Sequence, residues 1–178
     1  MSRLNGGWAL DALRGADTAL LRLARTRGHA RAAERAIAGF SRIGEHGAVW
    51  LAIGAAGYLT HRPARARWRR ATFAVAGAYA ANTALKLAFR RRRPLLNGLP
   101  ALVGTPTQLS FPSAHAATSF AGALAFARVG VPGGVAYPLA VSLSLSRIYL
   151  GVHYPSDVAG GALLGSTVAL LCAPPGAR

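Results

Sequence analysis

Residues 71–89 carry a single charge, Lys86, and the run then stops at four consecutive arginines and a proline, residues 90–94. At a helical rise of about 1.5 Å per residue the segment would be roughly 28 Å long, about the hydrocarbon thickness of a bilayer. Apolar blocks recur at 36–59, 113–127, 135–149 and 157–172. Proline, glycine or arginine lies close to each boundary, as expected where helices stop and turns begin. Backbone polar groups have no water to bond in lipid, so a chain built this way is constrained to helices that satisfy them internally.

Composition excludes the main soluble alternatives. Of 178 residues 52% are hydrophobic, yet 21 Lys and Arg face five acids, a formal charge of +16. A nucleic-acid binder would carry the charge without the apolar excess, and a disordered basic tail would lack the apolar mass. Membrane spans explain the first number, and arginines meeting anionic head groups or an anionic substrate explain the second. The lone Cys172 cannot form an internal disulfide, and no Cys/His spacing suits zinc, so neither metal nor cofactor is expected. Two rarities point to function: Lys86 is the sole lysine, and Asp157 is the only carboxylate after Glu45.

Along the chain, residues 1–35 mix Trp8, Leu10, Leu13, Leu20, Leu21 and Leu23 with Asp11, Arg14, Asp17, Arg22, Arg25 and Arg27, which predicts an amphipathic interfacial helix. No signal-peptide pattern is present. A membrane domain is expected over 36–173 and a short tail over 174–178. Its first span, 36–59, contains Arg42 and Glu45, which a helix would allow to pair. A polar hinge follows with Arg62, Pro63, Arg65, Arg67, Arg69 and Arg70, then the second span at 71–89. Residues 95–112 have loop composition, and 113–127, 135–149 and 157–172 complete about five spans. Gly54 with Gly57, Ala74 with Ala78, and Gly161 with Gly165 supply small faces for close packing, which permit a homo-oligomer without requiring one. The expected fold is all-α, a multi-pass transmembrane bundle.

Polar residues cluster at three helix ends that span alternation brings to one bilayer face. Lys86 and Arg93, seven apart, would project to one side of a helix, and Arg147 arrives from another span. Three cations around one point suit a multiply charged anion. Ser113 and the first-turn N–H groups after Pro112 are placed to hold phosphate oxygens. Pro155 keeps His153 out of the last helix, Ser156 is the expected N-cap, and Asp157 would orient one imidazole nitrogen while the other acts as nucleophile. His115 would be the general acid. Arg90, Arg91 and Arg92 are expected to anchor in head groups.

These segments, KLAFRRRRP at 86–94, PSAH at 112–115 and SRIYLGVHYPSD at 146–157, resemble the type 2 phosphatidic acid phosphatase superfamily. One departure is Ala114, where glycine is commoner. The resemblance implies phosphate binding by Lys86, Arg93, Ser113, Ala114 and Arg147. It also implies a phosphohistidine on His153, oriented by Asp157, and His115 protonating the leaving group before activating water. No metal is implied. The 104–115 and 146–157 segments, with FSRIGEHGAVW at 40–50, are similar to the branch of small phosphatases proposed for decaprenylphosphoryl-5-phosphoribose. The expectation is a plasma-membrane hydrolase of a polyprenyl-type lipid phosphate, whose partners are that lipid and the bilayer and not nucleic acid. Undecaprenyl diphosphate, phosphatidic acid and phosphatidylglycerophosphate are alternative substrates. A non-catalytic phospholipid or polyprenyl-phosphate carrier is the alternative of another class. Ten noncatalytic arginines on the site's face against seven opposite lean the site toward the cytoplasm.

Overall fold

The computed structural model describes residues 5–174; Arg3, Arg178 and all but the first residue of the expected 174–178 tail lie outside them. Seven α-helices follow in order: α1 Asn5–Thr26, α2 Arg31–Arg42, α3 Ala48–Thr60, α4 Arg65–Phe89, α5 Ala114–Ala127, α6 Gly133–Tyr149 and α7 Pro155–Cys172. Short 3-10 turns occupy Glu45–Gly47 and Arg62–Ala64. Among the described residues α7 alone is long and apolar enough to cross a membrane by length and hydropathy, and α5 is a shorter apolar helix.

α5 is the central helix, packed against α4, α6 and α7. Its small residues make this feasible: Ala116, Ala117, Ala121, Ala123 and Ala125 are fully buried. At Gly161 a β-carbon would collide with the Ser113 carbonyl, and at Gly165 with the Ala117 carbonyl, so α7 lies directly on the backbone of α5. Gly54 and Gly57 admit Thr72 and Trp68 between α3 and α4 in the same way. Trp50 is fully buried, and its indole Nε1 donates to Ser119 Oγ at 3.1 Å. Interhelical hydrogen bonds of this type average only about 0.6 kcal/mol in membrane proteins, so close approach of small faces is the main attraction.

Three local expectations are corrected. The segment 36–59 is not one helix: α2 ends at Arg42, and the chain turns through His46 at φ 53° and Gly47 at φ 75° before α3 begins. Left-handed backbone of this kind cannot continue a helix. Ending α2 at Arg42 also separates Arg42 from Glu45, and no ion pair joins them among the described residues. The arginine hinge is confined to the 3-10 turn, because arginine is a good helix former and α4 starts at Arg65. There Arg67 caps the Arg128 carbonyl beyond α5, and Arg70 the Cys172 carbonyl of α7. The expected boundary after residue 35 falls inside α2.

α1 is a helix that packs on α6 and α7 through one stripe, Asp17, Leu21 and Arg25. Arg25 donates to the Pro100 carbonyl at 2.8 Å and the Tyr149 carbonyl at 3.3 Å, which fastens α1 to the long loop and to α6. Trp8, Leu13, Leu20 and Leu23 are exposed on α1.

Candidate active site

The chain leaves α4 through Arg90, whose φ of 50° stops the helix. Residues 91–93 then run extended against 108–110, with Arg93 N–H donating to the Gln108 carbonyl and Ser110 N–H to the Arg91 carbonyl. Side chains alternate along such a segment, so Arg91 and Arg93 turn inward while Arg92 is exposed. This corrects two expectations. Arg93 is not on the helix of Lys86, and Arg91 is not a head-group anchor.

Lys86, Arg93, Ala114, His115, Arg147 and His153 nevertheless line one cavity of about 360 Å³, together with Glu45, His46 and Asn82. Lys86 Nζ is steadied by the Leu109 and Ser110 carbonyls at 3.2 and 3.1 Å. Arg93 donates from Nε to the Thr107 carbonyl and from NH1 to the Val152 carbonyl, both at 2.8 Å. Burial pushes Arg93 down to about 10, which leaves it charged at neutral pH. Ser113 caps α5, and its N–H is taken by the Asp157 carbonyl at 2.9 Å, so that donor is not free as expected. Its hydroxyl is buried without a hydrogen-bond partner, as are Arg147 Nε and Asn82 Oδ1.

The two histidines are held in definite tautomers by their partners. Arg93 NH1 lies 3.1 Å from His153 Nε2, and because a guanidinium only donates, Nε2 must accept and keep its lone pair on the cavity side. The proton therefore sits on Nδ1, 3.4 Å from Asp157 Oδ2, close enough for the N–H dipole to be attracted to the carboxylate though without hydrogen-bond alignment. Burial pushes His153 down to about 4, against the opposing pull of Asp157, so the ring is neutral and nucleophilic near pH 7. His115 Nε2 lies 3.0 Å from the Ser41 carbonyl, which can only accept, leaving Nδ1 as the nitrogen for proton exchange.

The N-terminus of α7 also differs from expectation. Tyr154, not Ser156, is its cap: the fully buried Asp157 carboxylate accepts the Tyr154 N–H at 2.9 Å and so takes the capping role expected of a serine. Among the described residues no group of three or more His, Cys, Asp or Glu is placed to hold a metal ion.

Four polar residues at the site escaped the sequence reasoning. Ser41 receives Arg147 NH1 at 2.8 Å and Ser146 Oγ at 2.9 Å while its carbonyl holds His115; a serine in an apolar block gives no signal of such a role. Asn82 donates to the Pro112 carbonyl at 3.0 Å, and its place one helical turn before Lys86 could have revealed it. Arg91 lies behind Asp157 and is ion-paired both to it and to Asp17.

A histidine with its lone pair beside three cations, backed by a carboxylate, is the arrangement expected for in-line attack on a phosphate. Residues 67–174 match the family model described as the PAP2 superfamily. The chain belongs to the PAP2 superfamily. It is 44% identical over 131 residues, 73% of either chain, to decaprenylphosphoryl-5-phosphoribose phosphatase of Mycobacterium tuberculosis. Identity to the protein of the same name from Mycolicibacterium smegmatis is 43% over 122 residues, 68% of this chain and 67% of that one. The fold is similar to the crystal structure of a transmembrane PAP2 type phosphatidylglycerolphosphate phosphatase from Bacillus subtilis. The TM-score is 0.75 at 24% identity, over 90% of this chain and 84% of the other. All three PAP2 blocks border the cavity, and the PAP2 match begins two residues into α4.

Proposed function

We propose that this PAP2 lipid phosphatase acts on the phosphate monoester of a polyprenyl-type lipid, with decaprenylphosphoryl-5-phosphoribose as preferred substrate, in supply of a cell-wall arabinan precursor. The observation that carries the reaction is the pairing of His153 Nε2 with Arg93 in a cavity that also holds Lys86, Arg147 and His115. The similarity to the mycobacterial enzymes carries the substrate.

Phosphate oxygens are taken by Lys86, Arg93, Arg147, the Ser113 hydroxyl and the first-turn N–H groups at Ala114. Arg93 NH1 passes from His153 Nε2 to a phosphate oxygen, the freed Nε2 lone pair attacks phosphorus, the bond from phosphorus to the ribose oxygen breaks, and His115, doubly protonated beside the anionic substrate, gives its Nδ1 proton to the leaving oxygen. Water then attacks the phosphohistidine, His115 takes its proton, and the N–P bond breaks to release inorganic phosphate. Asp157 offsets the charge that develops on the His153 ring. The step draws on no metal.

Purified protein in detergent with chelator, offered phosphatidic acid, undecaprenyl diphosphate and decaprenylphosphoryl-5-phosphoribose, is expected to release phosphate fastest from the last. Equal or faster release from another lipid would reassign the substrate, and binding without release from any lipid would favour a carrier.

In the membrane the proposed arrangement has about five crossings, the first formed by α2 and α3 with the break between them, and α1 lies on the surface at the site's end. The arginine bias favours a cytoplasmic site: with Arg25 and Arg91 on that face and Arg67 on the other held within the protein, eight arginines stand against six. Cys172 is exposed at the end of α7 away from the site. A membrane-impermeant thiol reagent applied to intact cells should therefore modify it. Labelling only after the membrane is opened would reverse the orientation.

A further inference from the structure

Asp157 uses both carboxylate oxygens. Oδ2 faces His153 and Tyr154, and Oδ1 accepts Arg91 NH1 at 2.8 Å. Arg91 does not end there. Its NH2 reaches Asp17 Oδ2 at 2.8 Å, and its guanidinium lies over the Tyr154 ring, 4.2 Å from the centroid. Asp17 in turn accepts the Ser156 N–H at 2.9 Å and the Ser156 hydroxyl. Burial raises the Asp17 carboxyl, but Arg91 and Ser156 outweigh it and hold Asp17 below the usual carboxylate range. Arg91 is raised, its desolvation outweighed by Asp17 and Asp157. A flat guanidinium thus bridges two carboxylates from opposite ends of the sequence, a geometry that an ammonium could not reproduce.

We propose that Asp17 and Arg91 are positioning residues for the nucleophile: Asp17, carried on α1, holds Arg91 against Asp157, and Asp157 thereby keeps His153 protonated at Nδ1 and unprotonated at Nε2. The physical reason is charge sharing. A buried charge is costly unless it is paired, yet a cation paired with Asp157 alone would draw the carboxylate away from the imidazole. Asp17 takes half of the fork, so Arg91 neutralises Asp157 without capturing it. The catalytic part of this inference rests on the phosphatase reading above; the tautomer part does not.

The test uses the full-length protein in detergent with Asp17→Asn, a neutral isostere that keeps the size of the side chain, and Arg91→Lys. Asp17→Asn is expected to lower kcat by roughly 10–100-fold with KM within about twofold, and Arg91→Lys to lower it as much or more. In an Asp157→Asn background the Asp17→Asn effect should shrink to less than about twofold, because its route is through Asp157. Unchanged kcat in Asp17→Asn, or a loss that multiplies fully with that of Asp157→Asn, would overturn the proposal and leave the phosphatase reading standing. Nitrogen-15 spectra of histidine-labelled protein read the tautomer without turnover. The Nδ1–H form of His153 is expected in the parent and a mixture in Asp17→Asn. Identical spectra would overturn the proposal even if no lipid were hydrolysed, whereas a parent silent on every lipid would count against the phosphatase reading alone.

Discussion

Replacing His153 with alanine is expected to lower kcat by roughly 10⁴-fold or more, since the variant loses the atom that bonds to phosphorus. Each tenfold corresponds to about 1.4 kcal/mol of barrier, so the loss is about 5–6 kcal/mol. Substrate affinity should stay within a few-fold, because Lys86, Arg93 and Arg147 keep their own anchors on Leu109, Ser110, Val152 and Ser41. Phosphate release and lipid binding, measured on the same preparation, check both halves. The same residue sets the acid limb in the parent. His153 must be neutral to attack, so kcat/KM should fall tenfold per pH unit once pH drops below about 4, the value to which burial pushes it.

Asp157→Asn is expected to cost about 10²–10⁴ in kcat with little change in KM. A carboxylate can only accept from His153 Nδ1, which leaves the lone pair on Nε2. An asparagine can turn its amide N–H toward Nδ1, which moves the ring proton to Nε2 and removes the nucleophile. The variant also strips Arg91 of one of its two anions. Steady-state kinetics with the preferred lipid distinguish the outcomes. A kcat within threefold of the parent would take Asp157 out of the mechanism.

The blocks to which this chemistry is assigned were legible because they combine rare residue types with fixed helix limits. Lys86, Arg93, His115, Arg147 and His153 all line the cavity. Asp157 stands behind His153, where four-residue spacing across Pro155 put it. Local conformation was harder to read. Nothing in the arginine run 90–93 announces that Arg90 leaves the helix and that the next three alternate as an extended segment, so the inward turn of Arg91 was not legible. The break after α2 depends on left-handed backbone at His46, a residue type that gives weak warning of it. The place of Asp17 is tertiary: it becomes a neighbour of Asp157 only when α1 packs on α7, and a scan for motifs along the chain has no access to that pairing. Helix periodicity did leave one trace, since Asp17, Leu21 and Arg25 recur every four residues, and that stripe is the buried side of α1.

The most direct measurement of the central claim, covalent catalysis by His153, is rapid quenching of the enzyme with phosphate-labelled lipid. The expected result is protein-bound label, up to one equivalent, that survives alkali, is lost in acid as an N–P bond should be, and is missing from His153→Ala. Turnover with no label on the protein, or label that persists in His153→Ala, would contradict it.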